Sequence, residues 1–532
     1  MKHYQRRYRA CYLGALAAVF ASTIFAVSLQ FFKGAVLDLA IAGDLPGALR
    51  YAALLLAFIL CENLFYFVYA RLSARFTAGC TEALKRDVFR SILRRGYAAF
   101  RQRPQGEYLA KYTTEADVIQ DRRFKMLPML WEILFKILFV SAAFFLLDVR
   151  IALLTLALLT TPLYLPKLIE KPLQNAQSAQ LKAAEAALAC LNDWLNGFEI
   201  IKNFSAEQSV LQRFDVLNRR AAEKACRNAT LGAASQLVTA LMSYLSYFAV
   251  LLCAAWLVLR GDFSAGDFFV AIGMIDQLSY PLISLAGILR QLVAVRPACR
   301  AMEQFIAGGK ADKAGGPLSA VSCHIRFRQV GFTYPGASRP VLQGLDFTIQ
   351  KGCRYLLQGP SGCGKTTAIN LLLRYYDADA GEITVDGAPI SRFGSTYGCI
   401  TVVRQDAVLF HDSLRNNLTM YRSIPDEKLF QALRAVGLQK FAGRGALDAQ
   451  IQENGSNLSG GEKKRICLAR ALLRETDVLI LDEPLANLDD AAARRIEDLL
   501  LSIRDRTLLV VSHQFTPEKV NQFDGVIRFG GA

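Results

Sequence analysis

Six long apolar stretches within about the first 300 residues leave this chain little choice of environment. They fall near residues 11–32, 50–70, 127–147, 149–169, 236–259 and 268–290. Each approaches the ~20 residues that a helix needs to cross a hydrocarbon core. In hydrocarbon every backbone N–H and C=O has to be satisfied internally, so stretches of this length read as spanning helices. The third and fourth are parted only at Asp148-Val149-Arg150, which predicts a tight helical hairpin. Beyond the sixth stretch the pattern changes to that of a water-soluble α/β protein.

The placement of charge orients the spans. The chain carries 62 Lys+Arg against 46 Asp+Glu, a net charge of +16, which by itself suggests an anionic partner such as nucleic acid or lipid. Many of the cations cluster after the second stretch, among them Arg71, Arg75, Lys85, Arg86, Arg90, Arg94, Arg95, Arg101, Arg103, Lys111, Arg122, Arg123 and Lys125. The connections near 33–49, 148–150 and 260–267 carry few charges. By the positive-inside rule the N-terminus and both long loops are cytoplasmic, and six crossings return the chain to the cytoplasm. Topology therefore accounts for much of the positive charge, and no nucleic-acid partner is expected. Lys2, Arg6, Arg7 and Arg9 precede a stretch long enough to span, which fits a retained first helix better than a cleaved signal. The 12 cysteines show no spacing of a disulfide frame or zinc site and read as small apolar thiols. A multi-pass protein of a cell membrane, bacterial inner or plasma membrane, is expected.

The soluble part opens its chemistry with Gly359-Pro360-Ser361-Gly362-Cys363-Gly364-Lys365-Thr366, set between strand-like Tyr355-Leu356-Leu357 and helical Ala368-Ile369-Asn370-Leu371-Leu372. A glycine-rich loop between strand and helix lets backbone N–H groups converge on phosphates, and the helix N-terminus adds partial positive charge. Lys365 is expected to reach the β- and γ-phosphates of ATP and Thr366 to help hold Mg²⁺, with Thr367 beside them. Val478-Leu479-Ile480-Leu481 reads as a buried parallel strand ending in Asp482 and Glu483. Asp482 is placed to bind Mg²⁺ and Glu483 to polarise an attacking water as general base. Alone, the loop could be a structural turn and the acidic pair a solvated strand end; together they point to nucleotide hydrolysis.

Asn457-Leu458-Ser459-Gly460-Gly461-Glu462-Lys463-Lys464-Arg465 resembles the signature of ATP-binding-cassette (ABC) proteins. The resemblance implies that Leu458, Ser459, Gly460, Gly461 and Glu462 close over the γ-phosphate held by a partner cassette, so that ATP lies between two chains. It further likens Tyr334 to the aromatic that stacks on adenine, and Gln405 to the glutamine that contacts ATP and senses Mg²⁺. His513 is similar to the histidine on the γ-phosphate, joining Glu483 and Lys365 as catalytic groups. Asp489 resembles the loop aspartate that links the two sites, with a helix N-cap as its alternative. The six-span layout resembles the ABC exporter fold across almost the whole chain. The expected fold class is thus a membrane all-α six-helix domain (1–307), a linker (308–323) and a cytosolic α/β P-loop ATPase domain (324–532). Glu453-Asn454-Gly455 resembles the exporter cross-linking segment, and the stretches 100–117 and 197–207 resemble its two cytoplasmic coupling regions. Two departures stand out. The family commonly has Gln where Glu462 stands, and its further C-terminal helices do not follow Val526-Ile527-Arg528-Phe529, which is expected to weaken cassette dimerisation.

That resemblance implies alternating-access efflux of a small molecule, lipid or peptide by two half-transporters, identical or different. The alternatives are an exporter-fold importer of metal–siderophore complexes and a regulatory half of a heterodimer. Polar residues inside spans are candidate functional sites. Glu62 in the second stretch and Asp276 in the sixth are candidate contacts for cationic or amphipathic cargo, with internal ion pairing as the alternative. Glu132 and Lys136, one turn apart in the third stretch, are expected to pair with each other.

Overall fold

A computed structural model describes residues 1–159, 167–309 and 315–530. The chain divides into two compact units, one of Met1–Leu93 with Gln105–Gly308, the other of Arg94–Pro104 with Gly309–Ala532.

The first unit is helical. Its principal helices are α1 (Arg9–Ile41), α2 (Leu45–Leu93), α3 (Met126–Leu147), α4 (Val149–Leu159), α5 (Lys167–Asn196), α6 (Glu207–Arg260), α7 (Ala265–Ala294) and α8 (Arg296–Ala307). Helix α2 has 49 residues and α6 has 54, lengths of about 70 to 80 Å against a ~30 Å hydrocarbon core. The charged segments flanking the second and fifth apolar stretches therefore continue the spanning helices without a break. Among the described residues, Arg9–Ile41, Leu45–Leu93, Gln105–Leu147 and Glu207–Arg260 are long and apolar enough to cross a membrane. The expected sixth span lies within the 30-residue α7, and the expected fourth runs into residues 160–166, outside the described residues.

The hairpin between α3 and α4 forms as its spacing predicts. Asp148 leaves the helix in extended geometry (φ −163°), and its carboxylate accepts the Arg150 N–H at 2.7 Å. The Arg150 guanidinium bridges Asp148 (2.9 Å) and Asp262 (3.0 Å), tying this turn to the one between α6 and α7. Inside the unit, Val140, Phe144, Ile151, Leu257 and Met274 are buried together. Glu132 and Lys136 pair at 2.8 Å, and Tyr69 donates to the second Glu132 oxygen at 2.9 Å, so neither charge is left bare. Where α1 meets α7, glycines replace side chains. A Cβ on Gly266 would stand 2.4 Å from the Gly34 carbonyl oxygen, while the Asp38 carboxylate accepts from Ser264 Oγ (2.7 Å) and the Gly266 N–H (2.6 Å). Small residues let helix backbones approach and bond across a membrane interface.

The second unit contains two sheets. Strands β1 (His324–Phe332), β2 (Leu342–Gln350), β4 (Ala380–Val385) and β5 (Ala388–Pro389) form an antiparallel sheet in the order β2-β1-β4-β5. Strands β3 (Arg354–Gln358), β6 (Ile400–Val403), β7 (Val478–Asp482), β8 (Thr507–Val511) and β9 (Gly525–Arg528) form a parallel sheet, β6-β7-β8-β3-β9. Both faces of the latter are covered: Leu479, Leu481, Leu508 and Val510 enter one core, while Val478, Ile480, Leu509 and Val511 enter the other. That two-sided burial is why β7 reads as an unbroken apolar run rather than an alternating one.

The α1–α7 contact yields a prediction. Substituting Gly266→Ala forces a methyl against Gly34 and Asp38, so the purified chain in detergent should lose about 1–3 kcal/mol of stability, seen as a lowered thermal-unfolding midpoint; an unchanged midpoint would contradict the close approach.

Candidate nucleotide site

In an open parallel sheet, ligands sit beyond the carboxyl ends of the strands, and the candidate residues of this chain converge there. The glycine-rich loop leaves the end of β3, Asp482 and Glu483 end β7, His513 follows β8, and Gln405 follows β6. Parallel pairing of β7 with β8, and of β8 with β3, sets these strand ends side by side.

The loop is built for close approach. Gly359, Gly362 and Gly364 adopt φ of +153°, +84° and +98°. A Cβ on Gly359 would lie 2.5 Å from the Phe529 carbonyl oxygen, and one on Gly364 would lie 2.3 Å from a Leu342 methyl. Helix α9 (Lys365–Leu372) then begins directly after Gly364, with Ser361 and Gly362 exposed ahead of it. The buried Lys365 ammonium donates to the carbonyls of Gly359 (2.6 Å) and Pro360 (2.9 Å) and lies 3.7 Å from Cys363 Sγ. These contacts hold the cation over the loop.

The acidic pair occupies two environments. Asp482 is buried, beside the exposed Thr366. Burial pushes its carboxyl above the usual carboxylate range, while Arg404, Lys365 and Lys464 pull it back. Glu483 is partly buried, and burial raises its carboxyl as well, with His513 acting in the opposite sense. His513 Nε2 stands 3.7 Å from Glu483 Oε1. Glu483 has φ +49°, a left-handed conformation that costs a non-glycine residue about 1–2 kcal/mol; its N–H bonds the Val511 carbonyl at 2.8 Å, which pins the turn. A hard divalent cation takes oxygen ligands, and an exposed Thr366 hydroxyl beside the Asp482 carboxylate is a donor set that fits Mg²⁺.

The remaining candidates divide between ordered and exposed positions. The Tyr334 hydroxyl lies 3.1 Å from Thr367 Oγ1, and its ring packs edge-on against Phe332 and Tyr376. Gln405 is exposed. Asp489 is an N-cap: its carboxylate accepts the Ala492 N–H at 2.8 Å, opening the helix α11 (Asp490–Ser502). Ser459 caps α10 (Gly460–Leu472) in a reciprocal box with Glu462, through Glu462 N–H to Ser459 Oγ (3.3 Å) and Ser459 N–H to the Glu462 carboxylate (2.8 Å). Lys440 pairs with Glu462 and holds its carboxyl below the usual range. Arg404 is marked by no motif, and Asn370 and Lys464 lie inside motif segments without an assigned role, yet all three flank the site: Arg404 Nη2 donates to Asn370 Oδ1 at 2.5 Å, and Lys464 Nζ donates to the Ala486 carbonyl at 3.2 Å. The signals in sequence are the adjacency of Arg404 to Gln405, of Asn370 to the phosphate loop and of Lys464 to the signature glycines.

The loop geometry makes a direct forecast. Gly359→Ala should displace the loop through its contacts with Phe529 and Cys363, weakening binding of a fluorescent ATP analogue at least ~10-fold; wild-type affinity would overturn the cradle.

Comparison with known proteins agrees with this layout. Residues 12–282 match the family described as ABC transporter transmembrane region, and residues 342–486 match that described as ABC transporter. The ATP-dependent lipid A-core flippase of Mannheimia succiniciproducens is 27% identical over 481 residues, 88% of this chain and 82% of that protein. Its counterpart in Escherichia coli strain K12 is 30% identical over 372 residues, 68% and 63% of the two chains. In fold, the chain resembles a bacterial Atm1-family ABC exporter solved with ATP bound, with a TM-score of 0.79 at 22% identity over 99% of this chain and 94% of that one. The transmembrane-region match alone takes in just over half of the 532 residues; the chain belongs to the ABC transporter family and is an ATP-driven, multi-pass membrane transporter of the exporter fold.

Proposed function

We propose that this chain is one half of a two-chain exporter that moves an amphiphilic, lipid-like molecule out of the cytoplasmic side of a bacterial inner or plasma membrane. The observation that carries the reading is the convergence of the phosphate loop, Asp482, Glu483 and His513 at neighbouring ends of one parallel sheet, in a chain whose other unit supplies spanning helices. The lipid-like cargo is supported by the relatives named as lipid A-core flippases.

In this reading the backbone of 359–364 and the Lys365 ammonium bind the phosphates, and Tyr334 stacks on the base. Thr366, Asp482 and Gln405 would hold Mg²⁺, which would supply neutralisation of phosphate charge when bound. Glu483 accepts a proton from the attacking water, and its raised affinity for protons, caused by burial, moves it toward the range where a general base works near neutral pH. His513, whose Nε2 stands 3.7 Å from Glu483 Oε1, contacts the γ-phosphate beside that base. The N-terminus of α10, from Leu458 to Glu462, serves the ATP of the partner half, identical or different, and Asp489 lies on the loop between the two sites. Closure of the two cassettes on ATP drives the spanning helices between inward and outward states, and the cassette is cytoplasmic with residues 308–323 as its linker. The intact set Lys365, Asp482, Glu483 and His513 favours an active half over a regulatory one, and the flippase relatives favour export over siderophore import.

Removing the base should separate binding from turnover. Glu483→Gln should retain ATP binding while ATPase falls about 10²–10⁴-fold, and the variant should accumulate as a closed dimer; near-normal phosphate release would refute the assignment. The cargo contacts are tested apart from the chemistry. Glu62 is half-buried on α2 and Asp276 exposed on α7, so Glu62→Gln and Asp276→Asn should reduce transport of cationic amphiphilic dyes in proteoliposomes while basal ATPase persists; unaltered dye selectivity would remove these residues from the cargo path.

A further inference from the structure

Within the second unit, a continuous string of contacts joins the segment that follows α2 to the phosphate loop. Tyr97 opens the short helix Tyr97–Arg101, and its ring stacks on Tyr375, with centroids 4.0 Å apart and planes at 18°. The Arg404 guanidinium lies 5.7 Å from the centroid of the same Tyr375 ring. Arg404 Nη2 donates to Asn370 Oδ1 at 2.5 Å, Asn370 Nδ2 donates to the Tyr334 hydroxyl at 3.2 Å, and that hydroxyl is 3.1 Å from Thr367 Oγ1.

The chemistry of the first donor fixes the direction of the chain as far as Tyr334. Arginine has no acceptor, so the Asn370 oxygen must face Arg404 and its amide nitrogen must face Tyr334. The Tyr334 hydroxyl then accepts from Asn370, and either hydroxyl can donate in the final contact between Tyr334 and Thr367. Bonds aligned in this way polarise one another, and in a partly buried setting the cationic end strengthens those that follow. Asn370 and Thr367 are both buried, so few waters compete. Arg404 and Asn370 meet across 34 residues of sequence.

We infer that Arg404 is a positioning residue for nucleotide binding, and that Tyr97, acting through Tyr375, holds Arg404 so that affinity for ATP depends on the segment after α2. Arg404 sets the ring of Tyr334 and the hydroxyl of Thr367; it does not itself touch the reacting atoms. The inference rests on the reading of Tyr334 as the base-stacking aromatic. It assigns to Tyr97, Tyr375 and Asn370 a role in KM rather than in the chemical step, and to Arg404 the same role in addition to its place in the cationic field around Asp482.

The test is steady-state ATPase of the full chain in detergent with MgATP, comparing Tyr97→Ala, Tyr97→Phe, Arg404→Ala, the Tyr97→Ala/Arg404→Ala double variant and Tyr334→Ala. Loss of one aromatic stack corresponds to about a 2- to 10-fold change in an equilibrium constant. Tyr97→Ala should raise KM for ATP by that factor with kcat within about twofold of wild type, and Tyr97→Phe, which keeps the ring, should restore KM. Arg404→Ala should raise KM at least as far, and the double variant should go no further than Arg404→Ala, since both substitutions break one chain. Should Arg404→Ala fail to fold, Arg404→Lys keeps the charge and loses the planar guanidinium over Tyr375, and the same pattern is expected. A wild-type KM in Tyr97→Ala, or additive effects in the double variant, overturns the inference. If Tyr334→Ala raises KM in that case, the base-stacking reading stands and the relay alone is lost; if Tyr334→Ala leaves KM unchanged, both fall together.

Discussion

The parallel pairing of β7 with β8, and of β8 with β3, is the constraint on which the chemistry depends. Parallel neighbours end on the same edge of a sheet, so pairing Asp482 with Val511 and Leu357 with Val511 fixes the relative heights of three loops at once. The phosphate loop leaves one strand, the acidic pair ends the second, and His513 follows the third. A one-residue slip would turn Asp482 toward the opposite face. The alternate burial of Val478, Leu479, Ile480 and Leu481 in two separate cores opposes such a slip, because each would move into the wrong core. The geometry of the candidate site is thereby secured by hydrophobic packing that has no chemistry of its own.

The same arrangement concentrates cost at the site. Asp482 is buried, and a carboxylate removed from water favours its neutral form unless cations lie near. Lys365, Lys464 and Arg404 supply that field, and each is anchored to a carbonyl or amide oxygen rather than left to search for the carboxylate. Lys464 is itself buried, and burial lowers its affinity for a proton. Glu483 adds a left-handed backbone held by the Val511 carbonyl. Strain and buried charge of this kind cluster at functional sites, and here both fall on consecutive residues.

How far the sequence announced all this depends on the range of the contact. The phosphate loop, the acidic strand end and the α10 capping box are encoded within a few residues, so spacing alone exposed them. The Asp148 hairpin and the Glu132–Lys136 pair were equally local. Asp489 shows the limit of local reading: its N-cap was a stated alternative and is present, yet a cap says nothing about contacts with a second chain. The charged segments beside the second and fifth apolar stretches carry helical periodicity, but their continuity with the spans in α2 and α6 is not marked, because the hydropathy signal stops where the helix leaves the apolar layer although the backbone hydrogen bonding does not. Least legible were Arg404, Asn370 and the grouping of Arg94–Pro104 with the second unit. Those depend on side chains far apart in sequence, and no periodicity or composition marks them.

The substitution of Glu for Gln at position 462 shows how such distant contacts reconcile a local departure. An anionic side chain in the first turn of a helix suits the macrodipole, but it is adverse where that same helix end is to receive a phosphate. In this chain the Glu462 carboxylate accepts the Ser459 N–H and pairs with Lys440. The charge is therefore largely neutralised within the cassette, and the box geometry that a Gln would provide is kept. Lys440 lies 22 residues before Glu462 in a separate short helix, so the pairing also ties that helix to the start of α10. An N-terminus capped and paired in this way still presents the exposed Ser459 and Gly460, so the substitution leaves open the surface that the proposed function assigns to the partner half.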